Sequence, residues 1–368
     1  DPTRRSLTGT GGYVKVGRKG NAKWNFSETF TWSSPGFDLN DMGYMKETDY
    51  LMNETEIMYR QTDIWKIFRY NAFTLSQKNM WNYGGTPFSN NASLRWQSMT
   101  MNRYEWDVKE TFAWNWLDSR LLRGGPDVRF GSYFLTSAKF NTDKAKRMMF
   151  MLKYEGDHNF EGNRFNTISP SLTFRLGNHV YLSGQLDYAW NTDEMQYVAT
   201  TSPLSSSSLT PYYYVMGHMD QKTYGLTLKL QVNVTPDISI QFYGAPFTSI
   251  AKYDDFKLAA DTKSHTFENR FQRIDPDHLT YADGVYTIGE GAGQMPFRNP
   301  DFRFNEFRSN LVARWEYLPG STLYFVWEHR MSNRDNWYSS GWGSNLDRMW
   351  GLPATNTFMI KMNYWFNL

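Results

Sequence analysis

The chain has 368 residues, no cysteine, and 39 basic against 37 acidic side chains, for a net charge of +2. Mixed, balanced charge argues against a nucleic-acid surface, and the missing cysteines exclude disulfides, thiolate metal sites and cysteine nucleophiles. Mean hydropathy is −0.64 and no run reaches the roughly 18–20 apolar residues of a membrane helix, which leaves open a barrel whose crossing strands average to neutral.

Aromatic residues make up 18% of the chain, a content that suits the interfacial girdles of such a barrel. The opening Asp1-Pro2-Thr3-Arg4-Arg5 is no signal-peptide start and no apolar stretch follows it. The expectation is a processed or partial chain.

Alternation of apolar and polar side chains recurs along the sequence, which is the period of a strand with one wet face. Over 104–116 the even positions are Tyr104, Trp106, Val108, Glu110, Phe112, Trp114 and Trp116. Met148, Phe150, Leu152 and Tyr154 alternate with Arg147, Lys153 and Glu155, and Ile168, Pro170, Leu172, Phe174 and Leu176 alternate with small polar residues. After a short break, Val180, Leu182, Leu186, Tyr188 and Trp190 continue the pattern, as do Leu226 to Val234. Thr235-Pro236-Asp237 turns into Ile238, Ile240 and Phe242; Pro319-Gly320 joins Leu311, Ala313 and Trp315 to Leu323, Phe325 and Trp327. The last segment places Phe358, Ile360, Met362, Tyr364, Phe366 and Leu368 at every second position. It reads as the strand that closes a barrel against the first one and removes the open edge.

Two classes of connection alternate. Tight turns fall at 176–180, 234–238 and 318–322, and long polar connections at 33–49, 116–128, 191–223, 253–305 and 331–357. That asymmetry predicts an all-β, transmembrane, antiparallel up-and-down barrel over residues 1–368, with about 14–16 strands, short periplasmic turns and long extracellular loops. A soluble propeller or sandwich would have strands of about 5–6 residues, shorter than the alternating runs here. Arg175, Lys229, Arg314, Glu316 and Glu328 fall on the polar side and read as a lumen wall.

Several stretches resemble a family of Bacteroidota envelope proteins known only as domain of unknown function 5916. They are Trp32-Ser33-Ser34-Pro35-Gly36-Phe37-Asp38-Leu39-Asn40-Asp41-Met42-Gly43-Tyr44, Trp81-Asn82-Tyr83-Gly84-Gly85 and Leu122-Arg123-Gly124-Gly125-Pro126. The most specific is Phe307-Arg308-Ser309-Asn310-Leu311-Val312-Ala313-Arg314-Trp315-Glu316-Tyr317-Leu318-Pro319-Gly320-Ser321-Thr322-Leu323. The resemblance implies a large outer-membrane barrel preceded by a module similar to carbohydrate-binding family 9. No such module is recognisable here, so the chain is similar to the family's C-terminal barrel portion, and its strands belong to an equal or wider barrel. The resemblance implies location and fold, and no reaction.

No catalytic or metal constellation stands out. The six histidines, His158, His179, His218, His265, His278 and His329, show no metal spacing and no HExxH. Phe37-Asp38-Leu39-Asn40-Asp41 lacks calcium-loop spacing and reads as a turn. Arg123-Gly124-Gly125-Pro126 lacks the Lys-Ser/Thr of a phosphate loop and reads as a loop folded tightly into the barrel mouth. The connection 332–352 gathers Trp337, Tyr338, Trp342 and Trp350 with Asp335 and Asn336. Flat aromatic faces beside amides and charges are what a sugar requires, while plain packing with tryptophans at headgroup level is the competing reading.

The function expected is that of a non-enzymatic, cofactor-free barrel in the bacterial outer membrane, for glycan binding or envelope transport. Its partners are outer-membrane lipid and lipopolysaccharide, a glycan, and other outer-membrane proteins or lipoproteins. The alternatives are a structural subunit of a larger complex (for secretion, barrel assembly or nutrient import) and, further off, a barrel-borne hydrolase.

Overall fold

Strand after strand of alternating side chains pairs with its chain neighbour, because each tight turn returns the chain antiparallel beside the segment it has just left. The computed structural model describes residues 8–39, 45, 47–114, 116–204, 212–336 and 342–366. β1 (Gly11–Arg18), β2 (Trp24–Ser33), β3 (Tyr50–Gln61), β4 (Phe68–Trp81), β5 (Pro87–Thr100) and β6 (Glu105–Trp114) lie side by side. A small hairpin of β7 (Trp116–Asp118) and β8 (Val128–Phe130) then leaves the sheet. The sheet resumes with β9 (Tyr133–Asn141), β10 (Met148–Asn159), β11 (Arg164–Leu176), β12 (Val180–Thr201), β13 (Tyr213–Asn233) and β14 (Ile238–Ala259).

The next connection carries β15 (Phe271–Arg273), which pairs with β14, and a separate sheet of β16 (Leu279–Ala282), β17 (Val285–Ile288) and β18 (Met295–Arg298). β19 (Phe302–Leu318), β20 (Ser321–Asp335), helix α1 (Trp342–Trp350) and β21 (Ala354–Asn363) complete the order. The main sheet holds 16 strands, all joined antiparallel, inside the range that the alternation predicts.

The two faces differ in chemistry. Leu75 opposes Leu94, Leu182 opposes Leu230, and Phe325 opposes both Ala313 and Ile360, so opposing pairs put apolar side chains on one face. Leu75, Leu94, Leu172, Leu186, Trp315, Phe325 and Trp327 are exposed there. The other face carries Ser93, Arg95, Gln185, Lys229, Arg314 and Glu328, with Arg95 held by Asp107 and Arg314 by Glu316. Leu182 to Trp190 covers eight residue steps, about 26 Å of strand and about 20 Å of depth at a tilt near 40°.

Two expectations change. The terminal strand does not close the sheet: among the described residues β21 pairs with β20 and β1 with β2, no ladder joins β21 to β1, and the sheet is open. Closure is a contact between chain ends, which local alternation does not encode. The long connections are also shorter than expected, since β12 runs on to Thr201, β13 begins at Tyr213, β14 extends to Ala259 and β20 to Asp335. Register shifts between Asp193 and Gln196, between Tyr197 and Ala199, and between Met216 and His218 break the period of two. The β-forming Tyr197, Val198, Thr200 and Thr201 nonetheless continue the strand.

The apolar core therefore sits at the end opposite the tight turns. Val215, Met219, Ala251, Tyr253, Phe256 and Leu258 pack there against Ile288 and Phe297 of the small sheet. A second cluster joins Leu122 and Val128 of the β7–β8 hairpin to Met195, Met216 and Phe271.

Candidate functional site

The expected aromatic loop is only partly on view. Trp337 and Tyr338 lie outside the described residues, Trp342 opens helix α1, and Asn336 is an exposed bend after β20. Asp335 ends β20, where its carboxylate accepts from the buried guanidinium of Arg303 and from Asn333 Nδ2 at 3.0 Å. Arg303 Nη1 also reaches Asn345 Oδ1 of α1 at 3.4 Å, and Trp350 meets Phe307 edge-on at 4.9 Å between ring centres. Phe307 opposes Met331 and shares a strand face with Arg303. Helix α1 thus covers the apolar-side face of β14, β19 and β20 at the end opposite the tight turns, and Asp335 and Arg303 fasten the layer.

His158 and His329 each meet an asparagine amide oxygen. His158 Nε2 and the Tyr154 hydroxyl both meet Asn166 Oδ1, at 2.9 and 2.7 Å. His329 Nδ1 lies 2.9 Å from Asn356 Oδ1, to which Trp327 Nε1 also donates. Among the described residues no three His, Asp or Glu side chains gather at metal-binding distance.

A layer at the end of the sheet opposite the tight turns, with no motif in the sequence, organises the rest. Arg270 is 1% exposed and clamps Glu161 with two bonds, Nη1 to Oε2 at 2.9 Å and Nη2 to Oε1 at 2.6 Å. Its remaining donors reach the carbonyls of Arg129 and Ser264 at 2.7 and 2.8 Å, while Glu161 Oε2 accepts from Gly131 N at 2.9 Å. One guanidinium therefore ties together the β8–β9, β10–β11 and β14–β19 connections, 109 to 141 positions apart in sequence. Arg123 stacks on Tyr197 at 4.5 Å, drawing the β7–β8 hairpin towards the tips of β12 and β13.

A cavity of about 490 Å³ lies between the polar face of β4 and β5 and the strand β7. Lys78, Met80 and Asn91 form its wall, and Trp116, Asp118 and Arg120 its cover. Trp116 stands edge-on to Tyr133 at 6.0 Å. Asp118 Oδ1 holds the backbone of Arg120 and Leu121 at 2.7 and 3.0 Å, which fixes the hairpin over the opening, and Arg120 approaches Glu47 at 4.0 Å. An indole plane beside an amide, an ammonium and carboxylates can stack on a ring and hydrogen-bond its hydroxyls. Sequence reasoning placed Trp116 on a strand and Asn91 nowhere, because the cavity forms from segments that only the sheet brings together.

A single histidine sits among carboxylates in the upper parts of β12 and β13, beyond Trp190. His218 Nδ1 is 3.2 Å from Glu194 Oε1 and Nε2 is 3.6 Å from Asp220 Oδ2. Burial pulls its ring towards the neutral form, but the hydrogen bond and charge of Glu194, with Asp220 and Asp254 behind it, raise its pKa overall.

One comparison with known proteins matches this chain throughout. The family described as domain of unknown function (DUF5916) matches residues 3–368. The chain belongs to that family. No curated protein matches it, and no solved structure does. The DUF5916 match covers every element named above, from β1 through the Arg270 layer to β21.

Proposed function

We propose that this chain is the non-enzymatic wall of an outer-membrane β-barrel that holds a glycan, or another polar solute, at a surface-facing mouth. The observation that carries the reading is the one-sided apolar band. Leu182, Leu186, Trp190, Leu228, Trp315, Phe325, Trp327, Phe358 and Ile360 are exposed on one face, while the other face of the same strands is mainly polar, with one apolar row at Val312, Val326 and Met359. Lipid accounts for an apolar face of that extent, and a solvated lumen accounts for its polar reverse. The cavity beneath Trp116 supports the glycan part, since it offers a stacking plane and convergent polar groups.

The test is membrane insertion. The full-length protein reconstituted in vesicles with brominated lipid should show tryptophan quenching, and Trp327→Phe should remove part of it. Unquenched fluorescence would reject the membrane reading. On a polysaccharide array Trp116→Ala should weaken retention several-fold, and unchanged retention would remove that cavity as the site.

A second reading, a subunit of a larger outer-membrane complex, is favoured by a polar patch inside the band. Glu28 shares its face with Phe26 and Phe30, and takes a hydrogen bond from Asn53 and another from Thr55 at 2.6 Å. On the same face Asn79 opposes Asn53 and Asn90, and Glu110 accepts from Thr136 at 2.7 Å. Carboxylates facing hydrocarbon are costly, so this part of β2 to β9 suits contact with protein better than with lipid. Co-purification of another envelope protein after mild detergent extraction, lost in Glu28→Leu with Glu110→Leu, supports it; a monodisperse single protein counts against it.

A further inference from the structure

A groove opens at the tight-turn end of the sheet, away from the cavity under Trp116. It lies between the turn that joins β5 to β6, at 101–104, and the turn that joins β9 to β10, at 142–147, and holds about 440 Å³. That volume is within the roughly 300–1,000 Å³ of small-molecule sites. β6 and β9 are hydrogen-bonded neighbours, with Trp106 opposite Phe140, so the two turns stand side by side although the β7–β8 hairpin separates them in sequence. Both turns are pinned by their own side chains. Thr100 Oγ1 accepts from Tyr104 N at 3.1 Å, and Arg103 takes a left-handed φ of 61°. Thr142 Oγ1 accepts from Phe150 N at 2.8 Å, and Asp143 Oδ1 from Ala145 N at 2.9 Å.

The lining is divided by chemistry. Arg103 and Lys146 bring one exposed cation from each turn. Met101, Tyr104, Met148 and Phe150 bring apolar surface and are 51%, 41%, 58% and 37% exposed. Tyr104 and Phe150 both lie against Phe140, at 5.8 and 6.5 Å between ring centres, and Phe140 meets Trp106 at 4.4 Å. This aromatic row belongs to the apolar face, since Phe140 opposes both Trp106 and Leu152. The groove thus joins a pair of cations at the turns to the apolar band.

The acids nearby are engaged elsewhere. Glu105 takes Lys144 Nζ at 2.5 Å, and Asp143, buried in the lining, caps its own turn. Arg103 and Lys146 have no ion-pair partner among the described residues. Adjacent turns add charge of the same sign, with Lys66 and Arg69 on one side and Arg147 and Arg175 on the other, while Asp63 is held by Lys23 at 3.0 Å.

We propose that this groove binds an anionic phospholipid, with the phosphate between Arg103 and Lys146 and an acyl chain along Tyr104, Met148 and Phe150. The site rests on the membrane location proposed above and gives it a specific lipid at the tight-turn end. The guanidinium offers a fork of donors that matches phosphate oxygens, and the ammonium adds a compact charge. The apolar half selects an acylated ligand. Free phosphate or an acidic polypeptide would leave four exposed apolar side chains uncovered where they continue the band. Phosphates and acyl chains also meet at the depth where an apolar face gives way to Tyr and Trp rings and then to cations.

Native mass spectrometry of the full-length protein in detergent, with phosphatidylglycerol, phosphatidylcholine or lipid A added, tests the site. A single phosphatidylglycerol should be retained several-fold more than phosphatidylcholine, and excess inorganic phosphate should not displace it. Arg103→Gln with Lys146→Gln should abolish the preference, and Arg103→Lys should keep most of it. Lys229→Gln, on the polar face, should leave it intact. Equal retention of phosphatidylcholine, an unchanged preference in the double variant, displacement by inorganic phosphate, stronger retention of lipid A, or a held polypeptide that the double variant releases would each overturn the assignment. Bromolipid quenching judges the location separately. Quenching without selective retention strikes this site alone, and absent quenching strikes the membrane reading on which it rests.

Discussion

Arg270 shows how much of this molecule's order depends on single long-range pairs. Its guanidinium is fully buried and satisfied by Glu161 and by carbonyls from two other connections. Removing one partner strands a buried charge, which costs on the order of 3–5 kcal/mol, while replacing both by apolar residues is far milder. Arg270→Ala should therefore loosen the layer around it, read as faster amide exchange at 128–131 and 260–273, and Arg270→Met with Glu161→Leu should recover most of that protection. Equal damage in the single and double variants would contradict the account. Neither residue was legible as a pair, since 109 positions separate two charges in polar loops. His218 was legible only as an isolated histidine. Its pKa is raised in the folded state, so its contribution is fully present below the ordinary value of about 6.5 and is lost as pH rises through the higher folded value. Protection at 194–201 and 213–220 in the native protein, relative to His218→Gln, should be greatest below about pH 6.5 and be lost as pH rises beyond it; a pH-independent difference would refute the link.

Elements were easier to foresee than their ends. The alternating runs mark β6, β10 to β14 and β19 to β21, and Pro319-Gly320 and Thr235-Pro236-Asp237 mark two turns, because turn chemistry and pleat period act over a few residues. The upper halves of β12, β13 and β14 show no strand period in the sequence because bulges erase it there. The Gly-Gly-Pro stretch predicts a tightly folded loop, and the backbone there supplies the reason. Arg123 and Gly124 have φ of 49° and 105°, and a Cβ on Gly125 would lie 2.6 Å from the Tyr214 ring. Gly125→Ala should thus push the β7–β8 hairpin off β13 at a cost of about 1–3 kcal/mol. Limited proteolysis within 116–130 should accelerate, and Gly125→Ala with Tyr214→Ala should slow it again. Unchanged cleavage in the single variant would show that the hairpin does not rest on that ring.

At the scale of the whole molecule the apolar face makes the sharpest demand. Under the proposed location Leu186 faces lipid near the middle of the band, and its strand neighbours Gln185 and Asp187 face the lumen, joined by a 2.9 Å bond. Leu186→Arg should destabilise the full-length protein folded in vesicles by about 2–4 kcal/mol, and Gln185→Arg by far less. Urea titration of the vesicle-inserted protein measures both, and equal effects would argue that the two faces meet the same medium. By itself the sequence determined the lower parts of the strands from β10 on, which of their sides is apolar, the tight turns and the family, because all of these repeat within ten residues or lie in contiguous stretches. The tertiary structure alone decided three things: the cavity beneath Trp116, the Arg270 tie across three connections, and the open edges of the main sheet. Each is a relation between segments far apart in the chain, set by pairing order and strand direction, which a local period of two leaves free.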